Sequence, residues 1–146
     1  MEKFERFTVL IAKISRSIKK IKAEEMAKWN LKSNHVPCIY YLYLRGPLTP
    51  KKLSDISTED KANLSRAIDF LESEDYIRQI IKQNKRYKIQ YELTEKGISV
   101  GRALDEKIKS LLKNISKKFS DAEGDIMYKC LGAIDESLAL VTSEYK

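Results

Sequence analysis

At 146 residues and 42% hydrophobic content, the chain is long enough for one compact domain and too short for two ordinary ones. Its 28 Lys and Arg against 21 Asp and Glu give a formal charge of +7 and a pI near 9.3, which points to a polyanionic partner such as nucleic acid, although solvated faces alone carry such charge in many proteins. The N-terminus has no signal-peptide core, no apolar run approaches the roughly 20 residues that span a bilayer, and two cysteines make no disulfide framework, so a cytoplasmic protein without membrane contact is expected. The charge is uneven: the first helical stretch and Arg102 to Lys118 are basic, whereas Asp121 to Glu144 is mostly acidic and is not expected to touch phosphate. Cys38 and Cys130 both fall in apolar periodic stretches and read as small buried hydrophobes.

Taken in chain order, Phe4, Phe7, Ile11, Ile14, Ile18 and Ile21 recur at spacings of three and four, which predicts a long N-terminal helix with one apolar seam. Pro37 fits the first turn of a second helix, where its missing N–H has no helical partner to lose; this helix runs to about Arg45 and ends at Gly46 and Pro47. Thr49 is the expected N-cap of a short third helix, with Pro50 at its first position and Leu53 and Ile56 on its buried side. A turn through Ser57 and Thr58 leads into a longer helix ending near Glu74. There Leu64, Ala67, Ile68 and Leu71 share one face, so Ala62, Arg66, Asp69 and Ser73 point away from it, with Asn63 and Ser65 on the flanks. Two helices, a tight turn and a polar outer face on the second make a helix-turn-helix pattern.

Strands are expected from Tyr76 to Lys82, with Tyr76, Ile77, Ile80 and Ile81 as apolar content, and from Lys88 to Leu93, alternating at Ile89, Tyr91 and Leu93. The interval from Arg78 to Gln90 has no acidic residue but holds Arg78, Lys82, Lys85, Arg86 and Lys88, which reads as a basic wing. Thr94 then caps another helix, with Glu95 in its first turn. Seams at Leu104, Ile108, Leu111 and Ile115 and at Met127, Leu131, Ile134, Leu138 and Val141 complete the pattern. The terminal stripes exceed what the small middle section can cover, so they are expected to form a homodimer interface; core helices of a monomer are the alternative.

The residues Leu48-Thr49, Lys52-Leu53, Asn63 to Glu72 (Asn-Leu-Ser-Arg-Ala-Ile-Asp-Phe-Leu-Glu), Tyr76-Ile77 and Leu93-Thr94-Glu95-Lys96-Gly97 resemble the MarR (multiple antibiotic resistance regulator) family over nearly the whole chain. The resemblance implies a homodimer whose first and last two helices interlock, a recognition helix in the major groove and a wing reaching the adjacent minor groove. Many such proteins are repressors released by small, often phenolic, anions. The chain departs from the family at the wing: the usual Asp-Arg-Arg or similar aligns with Lys85-Arg86-Tyr87, so Arg86 is kept as the groove-reaching candidate while Lys85 replaces the acid.

The expected architecture is therefore mostly α with a small β-hairpin wing (α+β). It is one domain over residues 1–146, with a winged helix-turn-helix at about 35–95 flanked by dimerisation helices at about 1–32 and 96–146. Asn63, Ser65 and Arg66 supply donors and acceptors for base edges, Ala62 shares their outward face, and Lys61, Thr49 and Ser65 suit phosphates. Lys82, Lys85, Arg86 and Lys88 extend the interface along the wing. The bland alternative for Arg66 is a pair with Asp69.

Among Trp29, His35, Tyr40, Tyr41 and Tyr43 most rings read as core. By the resemblance, His35, Tyr41 and Arg45 are candidate contacts for a small aromatic or phenolic ligand. His35 and Cys38 stand at metal-ligand spacing, but no other His and no nearby thiol joins them, so no metal and no cofactor is expected. The redox-sensing branch of the family carries its reactive Cys near the start of the first helix, where this chain has Phe4, Phe7 and Thr8. With no Ser/His/Asp arrangement, no phosphate-cradling loop and only five Gly, no enzyme reading stands. The function expected is a sequence-specific regulator, a repressor of a pseudo-palindromic operator. The alternative is a winged-helix module for protein contact without operator binding.

Overall fold

In a computed structural model, residues 2–80 and 89–145 are described. They divide into two compact units, Met1–Asp105 and Glu106–Lys146. The elements in order are α1 (Lys3–Ala27), a 3-10 turn (Ser33–His35), α2 (Val36–Arg45), α3 (Pro50–Ser57), α4 (Lys61–Ser73), β1 (Ile77–Ile80), β2 (Gln90–Leu93), α5 (Glu95–Ser116) and α6 (Asp121–Thr142).

In the first unit the punctuation read from the sequence sets the helix ends. Pro37 lies in the first turn of α2, and Gly46 stops that helix with φ 77°, its N–H donating to the Leu42 carbonyl at 3.0 Å. Nothing lies within 4 Å of a Cβ built on Gly46, so the backbone conformation alone calls for glycine. Thr49 caps α3, its Oγ1 accepting the Lys52 N–H at 3.1 Å, and Thr58 in the left-handed region (φ 60°) ends it. The core gathers Met26, Cys38, Ile39, Leu53, Leu71 and Ile77 with Val100 of α5.

The hairpin is antiparallel, in register from Ile77 opposite Leu93 to Ile80 opposite Gln90. Leu48, just ahead of α3, exchanges backbone hydrogen bonds with Tyr91 (3.1 and 2.8 Å), which ties the helix-turn-helix to the sheet. Ile89 departs from the expected alternation: it precedes β2 and is half exposed, so only Tyr91 and Leu93 point inward. The expected extensions of the strands through Ile81, Lys82 and Lys88 lie outside the described residues.

At the start of α5, Thr94 Oγ1 accepts the Gly97 N–H (3.1 Å) and donates to the Asp75 carbonyl (2.7 Å). Gly97 is pressed against the chain: a Cβ there would stand 2.1 Å from the Tyr76 carbonyl oxygen, a backbone atom with no room to yield.

In the second unit α6 starts at a capping box. Ser120 Oγ accepts the Glu123 N–H (3.1 Å), and Glu123 Oε1 accepts the Ser120 N–H (2.9 Å), which lowers the Glu123 pKa below the usual carboxylate value. Cys130 is exposed on this helix, correcting the expectation of two buried thiols. Cys38 is buried, and burial pushes its thiol pKa up to about 12.

Candidate nucleic-acid interface

The chemistry of α4 follows from how it is mounted. Leu64, Ala67, Ile68 and Leu71 are buried, which turns Lys61, Ala62, Ser65, Arg66 and Asp69 outward and leaves Asn63 half-buried at the rim. A cleft of about 430 Å³ opens between α3 and α4 over a floor of Leu64 and Ile68. Lys51 and Ser54 line it from α3, Lys61 and Ser65 from α4. Two ammonium groups and two hydroxyls outnumber the one carboxylate of the lining, Asp55, and suit a phosphate oxygen, which accepts from both kinds of donor. Lys51 and Ser54 were missed in the sequence reading. Their signal was the spacing of three on the outer side of a helix opened by Pro50.

Asp60 caps α4, Oδ1 accepting the Asn63 backbone N–H at 2.8 Å. Its Oδ2 accepts from Asn63 Nδ2, also at 2.8 Å, and Arg66 Nη2 donates to Asn63 Oδ1. The hydrogen-bond partner of Arg66 is thus Asn63, one turn back, rather than the Asp69 of the alternative reading. Thr49 uses its oxygen as the α3 cap, which leaves its O–H proton to donate elsewhere.

On the hairpin, Arg78 Nε donates to Glu92 Oε1 across the strands at 2.9 Å, so this member of the basic cluster has an acidic partner. Lys82, Lys85, Arg86 and Lys88 lie outside the described residues.

The three residues assigned to a ligand do not share one arrangement. Tyr41 and Arg45 stand one turn apart on α2, with the guanidinium carbon 6.0 Å from the Tyr41 ring centroid. His35 is buried and stacked on Phe70 of α4 (centroids 4.8 Å apart, planes 6° apart), and its Nδ1 accepts the Lys32 N–H at 2.9 Å. Burial, then the Lys32 charge, lowers its pKa. A second cleft, about 470 Å³ and lined by Lys19, Lys22, Ser33 and Glu59 among others, includes none of the three. Among the described residues no cluster of His, Cys, Asp or Glu could hold a metal ion, and no helix is long and apolar enough to cross a membrane.

No family model matches the chain. Over 95 residues it is 33% identical to the HTH-type transcriptional regulator BilQ of Clostridioides difficile (strain CD3), a match covering 63% of this chain and 64% of that protein. A MarR family regulator from Neisseria meningitidis superposes over 100% of both chains with TM-score 0.81 at 21% identity. FabT of Streptococcus pneumoniae, solved in complex with DNA, superposes with TM-score 0.79 at 18% identity over 94% of this chain and 99% of its own. MepR of S. aureus, also solved with DNA, does so with TM-score 0.76 at 19% identity over 90% and 97%. At these identities the likeness is one of fold: the chain has the winged-helix fold of the MarR family regulators, as the resemblance at Asn63 to Glu72 and Leu93 to Gly97 implied.

Proposed function

We propose that this chain, built on the MarR winged-helix fold, is a DNA-binding transcriptional regulator of that family that acts on duplex DNA as a two-fold homodimer. The observation that carries the reading is α4, a helix anchored by four buried residues that turns a hydrogen-bonding face, Lys61 to Arg66, to solvent. Such a helix fits a major groove, whose base edges show a distinct donor and acceptor pattern for each pair. In this reading Asn63 and Arg66 meet bases, Thr49, Lys51, Ser54 and Lys61 hold phosphates and fix the register, and Ser65, which lines the cleft between α3 and α4, serves either. Arg86 is assigned to the minor groove and Lys82, Lys85 and Lys88 to flanking phosphates on sequence grounds.

The dimer rests on the apolar seams: Phe4, Ile14 and Ile18 of α1 and Met127, Leu131 and Leu138 of α6 are all exposed in the single chain. Two copies related by a two-fold axis would read half-sites about 34 Å apart, hence a pseudo-palindromic operator, and a protein seated there represses by occlusion. BilQ's name as a transcriptional regulator and the DNA complexes of FabT and MepR support this reading. A small aromatic ligand near α2 would engage Tyr41 and Arg45, since His35 is committed to Lys32 and Phe70.

The test is duplex binding against salt. Each phosphate neutralised contributes about 0.9 to the slope of log affinity on log salt, so a groove-docked dimer shows a slope of several units. A protein-docking module shows no measurable duplex binding. A monomeric mass at micromolar concentration would remove the dimer from the proposal.

A further inference from the structure

We infer that Asp60 is a positioning residue that sets base reading by Arg66 through the side-chain amide of Asn63; this rests on the DNA-binding function proposed above. Asp60, Asn63 and Arg66 follow one another at intervals of three, along one strip of the α4 surface. Both carboxylate oxygens of Asp60 are used on one residue, Oδ1 accepting the Asn63 backbone N–H and Oδ2 its Nδ2 (2.8 Å each). The Nδ2 contact fixes which way the Asn63 amide faces. Its nitrogen must point to the carboxylate, so its oxygen points along the helix, where Arg66 Nη2 donates to it.

Turned over, the amide would set its oxygen against a carboxylate and its N–H donors against a guanidinium, which has donors only. The charge of Asp60 therefore determines what Arg66 meets three residues on. A guanidinium held by one N–H keeps its other donors for a base edge and loses less rotamer freedom on binding than a free one. The carboxylate has a second effect of the same sign. Standing at the front of a helix presented to DNA, it repels phosphate whatever the sequence and weakens non-specific binding.

Asp60→Asn separates positioning from capping. Asn caps a helix as well as Asp, so α4 keeps its start and the melting temperature should stay within about 2 °C. The substituted side chain has one acceptor instead of two and an NH2 group facing Asn63 Nδ2, so the Asn63 amide turns over and presents donors to Arg66. With an operator defined by sequencing genomic fragments retained on the protein, the ratio of operator to random-duplex affinity should fall about tenfold, the scale of one good base contact. Random-duplex affinity should stay equal or rise. Adding Arg66→Ala to Asp60→Asn should lower the ratio little further. Exchanging the two side chains (Asp60→Asn with Asn63→Asp) keeps the net charge, restores an acceptor beside Arg66 and should recover the part of the ratio that Arg66 carries, while any base contact of the Asn63 amide itself stays lost. An unchanged ratio in Asp60→Asn, or a ratio that falls only together with the melting temperature, overturns the inference while leaving the DNA-binding function standing. A wild-type chain that binds no duplex overturns both.

Discussion

Helices α4 and α6 carry similar apolar stripes and meet opposite fates. α4, with 13 residues, buries Leu64, Ala67, Ile68 and Leu71, whereas α6, with 22, buries only Gly124 and leaves Leu131, Leu138 and Leu140 exposed. α1 resembles α6: of its 25 residues only Met26 is buried. An apolar stripe says that a helix needs a cover, not whether its own chain supplies one. Here the winged-helix core is complete within one chain while the terminal seams stay uncovered by it, and on the dimer proposal a second copy covers them.

The sharpest way to break that contrast is to truncate one residue on each side of it. Leu71→Ala empties a site that is 0% exposed and should cost about 3 kcal/mol, whatever the protein concentration. Leu131→Ala removes a side chain that is 41% exposed in the single chain, so a monomer would barely notice. If the seam is an interface, the loss should be about 1 kcal/mol or more per chain and the unfolding midpoint should fall on dilution. Urea midpoints at two protein concentrations decide between these outcomes, and a concentration-independent midpoint for wild type and Leu131→Ala would count against the dimer.

Glycines sharpen the same comparison. Gly97→Ala drives a methyl into the Tyr76 carbonyl and should cost about 2 kcal/mol or more. Nothing lies within 4 Å of a Cβ on Gly132, in the interior of α6, so Gly132→Ala should stabilise the single chain by about 0.5 to 1 kcal/mol through helix propensity. Loss of stability there, read by thermal melting, would mean that another chain's surface packs closely against this glycine.

What the sequence made legible follows the same division. Pro37, Thr49 with Pro50, and Thr94 announce helix starts through local chemistry, and the spacing of Leu64, Ala67, Ile68 and Leu71 announces a buried face; neither signal depends on distant residues. The Asp60 to Arg66 chain was harder to see because Ser57, Thr58 and Asp60 can all cap helices. Cys130 and Ile89 were misjudged because an apolar residue in a periodic run is buried only if something covers it. His35 is a candidate ligand contact by the resemblance alone, and its stacking on Phe70, 35 residues away, has no signal in the local sequence.

A third prediction concerns the outward face of α4. Arg66→Ala should cost roughly 1 to 3 kcal/mol of discrimination between operator and random duplex, with little change in stability because the side chain is exposed. Equal losses on both duplexes, measured by competition binding, would make Arg66 a phosphate contact and leave Asn63 and Ser65 as the base readers.

The smallest effect expected belongs to His35, the only histidine in the chain. Burial, seconded by the Lys32 charge, lowers its folded pKa from the ordinary 6.5, and its Nδ1 must be unprotonated to accept the Lys32 N–H. The fold therefore prefers neutral imidazole. Above about pH 7 both folded and unfolded chains hold it neutral, and its contribution is fully present. As pH falls through about 6.5 the unfolded chain takes up a proton that the folded chain refuses, so stability declines until the pH drops below the folded pKa, where the decline stops. One proton limits the slope to about 1.4 kcal/mol per pH unit. His35→Asn supplies an oxygen that can accept the Lys32 N–H but neither titrates there nor stacks as well on Phe70. It should lower stability modestly at pH 7.5 and flatten the decline between pH 7 and 5.5. Urea midpoints across that range that fall in parallel for wild type and His35→Asn would assign the pH dependence to other groups.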